Sequence, residues 1–282
     1  MITIKKDNEI ALLSQGGKIL GQILKRLAAE VKPGVTTGHL EQMADFLIKK
    51  AGGRPSFKGF KSDKDDEPYP TVLCACINDE VVHAPSLPSR QLKSGDIIGI
   101  DVGMEFPAYA DPRYAEGFGE ARVPAGKPSV KMGYYTDMAA TVAVGKISRE
   151  AQKLIRTTKQ ALALGIEQVR PGNSLNNIGK AIEKYVKLNG FSVVRDLVGH
   201  GVGYSLHEDP QVPNYDLAYG KKIILKPGMV LAIEPMVNAG DWRVKDGADG
   251  LTILTADGSL SAQFEHTVLV TEQGHEILTK FE

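Results

Sequence analysis

Apolar residues near the start of the chain recur with the spacing of amphipathic helices. The pattern predicts a first helix that is capped by Asp7 and runs to about Val31. A second helix would begin at a cap formed by Thr36 or Thr37 and stop at Gly52 and the glycine that follows it. The chain therefore opens with two consecutive helices, each with one apolar face.

Another helix pair is predicted beyond the middle of the chain. Ser148 is placed to cap a helix that runs to about Val169, and Pro171 with the next glycine would break it. Ser174 would cap the following helix, which ends at Gly190. The later part of the chain thus repeats the helical plan of the earlier part.

Short runs with strand-like alternation predict the β-structure. In chain order they cover residues 71–77, 80–83, 97–104, 133–144, 192–198, 202–206, 229–234, 251–255 and 263–271. Residues 61–67 form a charged loop, and a stretch of about 105–131, rich in Pro, Gly and Ala, indicates an insertion. Helix pairs followed by runs of strands favour the α+β class.

Two pairs of segments resemble each other at nearly the same separation. LKSGDIIGID at 92–101 matches LKPGMVLAIE at 225–234, and VKPGVTTGHLEQMADFLIKKAG at 31–52 matches VRPGNSLNNIGKAIEKYVKLNG at 169–190. We interpret them as a duplication within a single catalytic domain, 1–282, whose halves cover roughly 1–145 and 146–282. Chance similarity between generic helix and strand patterns is the alternative.

Charge and cysteine content narrow the function classes. Lys and Arg together number 34, as do Asp and Glu, so the formal net charge is zero and points to neither nucleic acid nor membrane as a partner. Cys74 and Cys76 would point to opposite faces of a strand, so we expect no disulfide. The N-terminus lacks the apolar core of a signal peptide, and a cytoplasmic protein is the simplest interpretation.

Acidic residues interrupt strands that are otherwise apolar. Asp101 and Glu234 end the two matching strands, while Asp137 and Glu265 lie within a later strand of each half. If the halves pack about a pseudo-twofold axis, the carboxylates converge, and two divalent ions would balance their charge. The alternative is two pairs of strands whose acids face solvent.

Histidines add candidate ligands and substrate contacts. His200 in VGHGVG is flanked by glycines that leave its imidazole uncrowded, while His83 in VVHAP and His207 in LHEDP share an apolar residue before and a proline after. For any one of them a surface or internally satisfied side chain is the alternative. The absence of GxSxG, GxxxxGK[ST] and HExxH patterns argues against a serine nucleophile elbow, a P-loop for nucleoside triphosphates and a zincin helix.

Several blocks together resemble one enzyme family. NDEVVHAP, GDIIGIDVG, GHGVGYSLHEDPQVPNY, AIEPMVNAG and SLSAQFEHTVLVT are similar, in order, to the signature blocks of the type I methionine aminopeptidases, from about residue 6 to the C-terminus. The resemblance implies the pita-bread fold, two pseudo-symmetric halves around a central curved antiparallel sheet with helices on the outer face. It also implies an enzyme that removes N-terminal methionine before a small second residue by attack of metal-activated water. Our expectation for the oligomeric state is a monomer.

The resemblance assigns roles to individual residues. The metal ligands would be Asp101, Asp137, His200, Glu234 and Glu265, with Asp137 and Glu265 bridging two ions of Co, Mn, Fe or Zn. Glu234 would also shuttle a proton, and His83 and His207 would contact the substrate at the scissile peptide. Cys74, Phe57 and Phe60 would line the methionine pocket. Nascent polypeptide N-termini are the expected partners, with the ribosome as a further candidate.

The chain departs from the family pattern at three places. Leu251 stands where the family often has Trp, which would reshape the methionine pocket, and the segments 61–67 and about 105–131 are additional. Two alternatives stay open. A prolidase-like or Xaa-Pro aminopeptidase would share the ligands, and a catalytically silent pita-bread protein would act as a binding module.

Overall fold

The computed structural model describes residues 1–61, 63, 67–108 and 133–280. Its helices are α1 (Asp7–Glu30), α2 (Thr37–Lys50), α3 (Arg149–Ile166) and α4 (Asn176–Leu188), with a 3₁₀ helix at Ala218–Lys222. Its strands are β1 (Arg54–Pro55), β2 (Leu73–Ile77), β3 (Glu80–Val82), β4 (Ile97–Phe106), β5 (Tyr134–Ala143), β6 (Ser192–Val193), β7 (Gly199–Gly201), β8 (Glu208–Val212), β9 (Val230–Ile233), β10 (Met236–Asn238), β11 (Val244–Asp246), β12 (Ile253–Thr255), β13 (Ser261–Gln263), β14 (His266–Val270) and β15 (His275–Ile277). Helix pairs precede the runs of strands, and the predicted α+β class is confirmed.

The predicted caps are correct for α2 and α3. The Thr36 hydroxyl accepts a hydrogen bond from His39 N–H at 3.2 Å, and the Ser148 hydroxyl accepts one from Ala151 N–H at 3.0 Å. Each bond satisfies a backbone donor that the first helical turn leaves unpaired. Both helices therefore begin where the sequence indicated.

The predicted caps of α1 and α4 are wrong. Asp7 is already helical, and the carboxylate of Glu9 accepts a hydrogen bond from Lys6 N–H at 2.9 Å. Ser174 lies just outside α4, and its N–H donates to Asn177 Oδ1 at 3.1 Å. At both ends a side chain from the first turn reaches back to the preceding backbone, which is one half of a capping box.

All described strand pairs are antiparallel. The N-terminal sheet has the order β1-β4-β2, with β5 also paired to β4, and the C-terminal sheet has the order β15-β14-β9-β7-β8. Two smaller sheets have the orders β13-β10-β6 and β11-β12-β3. The long strand β4 is thus central in the N-terminal sheet, with β1 and β2 on one side and β5 on the other.

Hydrogen bonds join β5 to β14 and to the residue just before it. Thr267 Oγ1 accepts from Asp137 N–H at 2.9 Å and donates to Asp137 O at 2.8 Å. The N–H of Glu265 donates to Ala139 O at 2.9 Å. We call these contacts the seam, because they join the N-terminal and C-terminal sheets.

Helices cover the sheets on one side. α1 packs across β4 and β5, and α3 packs against α4 and β13. The main core between these layers includes Leu20, Leu24, Ile98, Ile100, Val102 and Ile178. A Cβ at Gly21 would lie 2.2 Å from the carbonyl oxygen of Lys280, so glycine permits the C-terminal segment to run directly over α1. Ile98, Ile100 and Val102 alternate with Asp101 along β4, which leaves the acid on the opposite face.

Two strand predictions around the middle of the C-terminal region are wrong. Residues 202–206 are not a strand, and β7 lies just before them, although Val202 N–H still bonds Val230 O at 3.1 Å. The predicted strand 192–198 contracts to Ser192–Val193. β8 was not predicted, because its charged residues and Pro210 break the apolar alternation that marks a strand.

The remaining predictions concern connections and thiols. Glu105 and Phe106 belong to β4, so the insertion begins after them, and residues 109–131 lie outside the described residues. Cys74 and Cys76 are free, as expected. None of the described helices combines the length and apolarity needed to cross a membrane. The division into two halves stays a prediction.

Candidate metal centre and substrate cleft

Asp101 and Asp137 share one face of the N-terminal sheet. In the register of β4 and β5, Asp101 pairs with Ala139 and Gly103 pairs with Asp137, so the two acids are diagonal neighbours. Residues two positions apart on a strand point to the same face, and both carboxylates therefore project together. Gly103 keeps this face open, because a Cβ there would lie 2.1 Å from Ser56 Oγ and 3.2 Å from Asp137 Oδ1.

Glu234 and Glu265 flank a pair of antiparallel strands. Glu234 follows β9 and Glu265 precedes β14, and Ile233 at the end of β9 pairs with His266 at the start of β14. The two glutamates consequently lie across from each other at the same end of the pair. Gln263 Nε2 donates to Glu234 Oε2 at 3.2 Å and holds that carboxylate in place.

His200 lies in β7 between glycines that the surrounding backbone requires. A Cβ at Gly199 would lie 2.3 Å from Ala232 O, and a Cβ at Gly201 would lie 2.2 Å from a carbonyl oxygen of β8. His200 Nδ1 is 2.9 Å from Gly201 O, which fixes the proton on Nδ1 and leaves Nε2 as an acceptor. Nε2 lies 3.5 Å from Glu234 Oε1.

Three of the five predicted ligands meet at one point. Ligand atoms of Asp137, His200 and Glu265 all lie within 4.8 Å of one another. Buried oxygens of Asp101, Asp137 and Glu265 have no hydrogen-bond partner in the described part of the chain. Buried carboxylate oxygens are costly without a donor or a cation. A set of carboxylates with one imidazole therefore fits a divalent transition metal.

Electrostatics in the cluster favour the same conclusion. Burial raises the pKa of Asp101, Glu234 and Glu265 well above their usual range, and repulsion from neighbouring acids raises it further. Burial also raises the pKa of Asp137 to about 7. Burial lowers the pKa of His200 to about 4, so this imidazole is neutral and can act as a ligand at neutral pH.

These residues line a cleft of about 1210 Å³. Phe57, Phe60 and Cys74, the residues predicted for the methionine pocket, line the same cleft. Phe57 and Cys74 also belong to a small buried cluster with Leu206. Leu251 is another lining residue, so a position at which the chain departs from the family it resembles lies in the same cleft.

The two predicted substrate histidines also line the cleft. The His207 ring lies edge-on to His200 at 4.4 Å and to Phe60 at 4.9 Å. Desolvation within the cleft, together with the nearby His200 and His83, lowers the pKa of His207 to about 3, so the ring is neutral. His83 has a φ of 61°, in the left-handed region that non-glycine residues seldom adopt. Such backbone strain is concentrated at functional sites.

Several supporting side chains were not predicted. Gln263 bonds the side chain of Glu234, and Asn214 Nδ2 donates to its carbonyl oxygen at 3.2 Å. Strand alternation before Glu265 places Gln263 on the same face, which is a signal that was available in the sequence. Thr267 in the seam and Tyr69, which donates to Cys74 Sγ at 3.1 Å, carry no such signal because their partners are distant in sequence or outside any motif.

Solved structures define the class of this fold. The methionine aminopeptidase of Thermotoga maritima has a TM-score of 0.85 at 38% identity and covers 99% of this chain and 100% of that chain. The prolidase of Pyrococcus horikoshii OT3 has a TM-score of 0.71 at 18% identity, covering 99% of this chain and 64% of that chain, a likeness of fold alone. The predicted pita-bread fold is confirmed.

Sequence comparison identifies the family. The profile of metallopeptidase family M24 matches residues 11–112 and 128–272. The methionine aminopeptidase of Clostridium perfringens is 44% identical over 280 residues, which cover 99% of each chain. The chain belongs to metallopeptidase family M24.

Proposed function

We propose that this chain is an aminopeptidase that removes the N-terminal methionine from peptides with a small second residue, using water activated at a dinuclear metal site. The observation that carries the proposal is the convergence of buried, unpartnered carboxylate oxygens in the cleft. Membership of family M24 and the 44% identity to a methionine aminopeptidase support the same reaction.

The cluster would hold the metal ions. The residues that would hold them are Asp101, Asp137, His200, Glu234 and Glu265. When bound, the ions lower the pKa of a water molecule and stabilise negative charge on the carbonyl oxygen. Oxygen ligands with one nitrogen suit Mn, Fe, Co or Zn.

Glu234 is the proposed proton carrier. Its Oε2 accepts a hydrogen bond from Gln263 Nε2, which orients the carboxylate inside the cleft, and its Oε1 lies 3.5 Å from His200 Nε2. Burial raises its pKa, which suits a group that must accept a proton from water and return it to the leaving amine.

His207 and His83 are proposed to contact the scissile peptide. Because the pKa of His207 lies at about 3, the ring is neutral, and its N–H can donate to the developing oxyanion. Phe60 packs against the ring and limits its rotation. His83 lines the same cleft and would contact the scissile amide or the leaving group.

The methionine side chain would enter the pocket formed by Phe57, Phe60 and Cys74. Sulfur and aromatic surfaces suit a flexible, polarisable thioether. Leu251 has less volume than the Trp often found in the family, so this pocket would be wider on that side. Its exact shape then depends on the remaining aromatic residues.

The two alternatives are not favoured. The likeness to a prolidase is limited to the fold at 18% identity, whereas the similarity to methionine aminopeptidases extends over the whole chain at up to 44% identity. A silent binding module would lack ligands, while every candidate ligand here lines the cleft.

The reaction can be tested directly. Protein stripped of metal with a chelator should be inactive, and addition of Mn, Co, Fe or Zn should restore hydrolysis of Met-Ala-Ser but not of Ala-Pro-Ser. Metal analysis of the active form should give about two ions per chain. Preferential cleavage of the Xaa-Pro peptide, or full activity without metal, would contradict the proposal.

The natural substrates would be the N-termini of nascent polypeptides. We further propose that the protein acts in the cytoplasm as a monomer, and that any association with the ribosome is transient. The zero formal net charge supports a weak interaction with ribosomal RNA. Sedimentation of the protein with and without translating ribosomes tests this, and stable co-sedimentation at physiological salt would contradict it.

A further inference from the structure

A buried ion pair joins the N-terminal segment of the chain to the loop that carries His207. We call this loop, residues 203–207, the histidine loop. Glu208 follows it directly and begins β8. The side chain of Lys5 is 1% exposed, and its ammonium lies 2.8 Å from Glu208 Oε2. The pair connects residues that are 203 positions apart, so the first residues of the chain are held against the histidine loop.

The carboxylate of Glu208 accepts hydrogen bonds from two parts of the chain. Its Oε2 accepts from the Lys5 ammonium and, at 2.6 Å, from the Thr3 hydroxyl. Its Oε1 accepts from Ser205 N–H at 3.0 Å and from Tyr204 N–H. One buried carboxylate therefore closes the histidine loop on itself and ties that loop to the N-terminal segment.

The stem of Lys5 also packs directly on the histidine loop. A Cβ at Gly203 would lie 2.4 Å from Lys5 Cε, so glycine provides the space that the lysine occupies. The ammonium lies 4.8 Å from the centroid of the Tyr204 ring, within the range of a cation–π contact. The lysine thus contacts the loop through its stem as well as through the carboxylate.

The same carboxylate controls the backbone on both sides of His207. Before the histidine, Gly203 O accepts from Tyr135 N–H of β5 at 2.8 Å, and after it Glu208 pairs with Gly201 of β7. Between these two anchors, the N–H groups of residues 204 and 205 bond the Glu208 carboxylate. The direction of the His207 ring in the cleft therefore depends on that carboxylate, and small misplacements of a reacting group are costly.

We propose that Lys5 is a positioning residue for His207 and acts through the carboxylate of Glu208. The ammonium balances the buried negative charge and keeps the carboxylate turned toward the histidine loop. Without it, the carboxylate would turn toward water and release the N–H groups of the loop, and the His207 ring would leave its place beside the scissile peptide. The proposal rests on the proposed function, in which His207 contacts that peptide, and adds to it a residue of the N-terminal segment.

A double-mutant cycle tests the coupling. Lys5→Met, His207→Ala and the double variant, saturated with Mn, are compared with the wild type on Met-Ala-Ser. We expect Lys5→Met to lower kcat by about tenfold or more and to change KM by less than about threefold, because the histidine acts on the transition state. In the His207→Ala background the same substitution should change kcat by less than about twofold. Lys18→Met, which removes an exposed ammonium from α1, is the matched control and should have the kcat of the wild type.

A milder variant covers the case in which Lys5→Met does not fold. Thr3→Val removes one donor to Glu208 Oε2 and keeps the ammonium. It should lower kcat by about threefold or more in the wild-type background and by less than about 1.5-fold in the His207→Ala background. A substitution that merely loosens the fold would lower kcat by the same factor in both backgrounds.

Nuclear magnetic resonance gives a measurement that does not depend on turnover. In protein loaded with diamagnetic Zn, the ring-proton signals of His207 are assigned by their loss in His207→Ala. Lys5→Met or Thr3→Val should shift these signals and leave those of His39, on α2, unchanged.

The outcomes separate this inference from the proposed function. An active wild type with equal losses of kcat in both backgrounds, or with unshifted His207 signals in the variants, would overturn this inference alone. Full turnover by His207→Ala would overturn the proposed role of His207 and this inference with it. A wild type that cleaves no methionyl peptide with any of the metals would overturn the proposed function itself.

Discussion

At Asp137, catalytic activity and the stability of the metal-free protein are expected to favour different side chains. It is 4% exposed, one of its oxygens has no hydrogen-bond partner, and it lies among three other buried acids. In metal-free protein this carboxyl group must either hold a proton or bear an unbalanced charge. Asp137→Asn keeps the size of the side chain, but the amide is neutral and does not titrate. We expect the variant to be inactive but, without metal, more stable than the wild type.

The magnitude follows from the shift in pKa. Folding raises the pKa of Asp137 from 3.8 to about 7. The folded state therefore binds the proton more tightly, and the free energy of unfolding falls as pH rises from the unfolded value to the folded value. One pKa unit corresponds to about 1.4 kcal/mol, so the loss reaches about 4 kcal/mol at about pH 8 and stays below about 2 kcal/mol at about pH 5. Replacing Asp137 by a residue that does not titrate should restore most of the free energy of unfolding that is lost at the higher pH.

The assay is urea denaturation followed by circular dichroism, in a chelating buffer, at about pH 8 and about pH 5. Asp137→Asn should exceed the wild type by about 2–4 kcal/mol at the higher pH and by clearly less at the lower pH. Asp45→Asn is the matched control, because Asp45 is a half-buried surface acid paired with Lys49 at 2.7 Å. Its effect should stay within about 0.5 kcal/mol at both pH values.

Added metal should reverse the order of stability, so that the wild type becomes more stable than Asp137→Asn. Saturating Mn stabilises only a protein that binds it in the folded state, so the wild type should gain stability and Asp137→Asn should gain little. A variant that is less stable than the wild type in chelator at about pH 8, or equally stabilised at both pH values, would refute the electrostatic reasoning. Wild-type turnover by the variant would refute the assignment of Asp137 as a ligand.

Further predictions concern the neighbours of the cluster and its protons. Gly103→Ala should lower stability by about 1–3 kcal/mol and weaken metal binding, because its Cβ would collide with Ser56 and crowd Asp137; denaturation and a metal titration measure both. Lys5→Met should cost about 3–5 kcal/mol in a denaturation experiment, because it leaves the buried carboxylate of Glu208 without the ammonium that lies at 2.8 Å; a neutral result would contradict the pairing. The apparent affinity for Mn should rise with pH between about 5 and 8, because burial raises the pKa of the cluster acids and the ion must displace their protons; calorimetry in buffers of different ionisation enthalpy counts them.

The candidate metal centre could be located from the sequence because its signals are local. Asp101 and Glu234 end strands of matching sequence, and the glycines around His200 reflect the close backbone approach that the structure contains. A carboxylate in an apolar strand is conspicuous wherever the strand is correctly recognised. The convergence itself needed the additional assumption of two related halves.

The positions that sequence reasoning missed depend on contacts between distant segments. Tyr69 is positioned by a backbone hydrogen bond to Phe60 and by the contact of its hydroxyl with the Cys74 thiol. Neither contact can be inferred from local periodicity. β7 and β8 were missed or misplaced because glycine, proline and charge replace apolar alternation there. In the sequence Thr267 looks like an ordinary strand residue. Only the packing of β14 beside β5 brings its hydroxyl within hydrogen-bond distance of both the N–H and the carbonyl oxygen of Asp137.

The seam explains why metal binding and folding should be coupled in this protein. Two of the acids belong to β4 and β5 and two lie beside β9 and β14, so an ion held by all of them connects the N-terminal and C-terminal sheets. Without the ion, repulsion between these acids opposes the hydrogen bonds that Thr267 and Glu265 make across the same boundary. Binding therefore changes a repulsive contact into an attractive one, and its free energy contributes directly to the stability of the boundary. The amide hydrogens of Asp137 and Glu265 report on that boundary, and their exchange should slow selectively when metal is added.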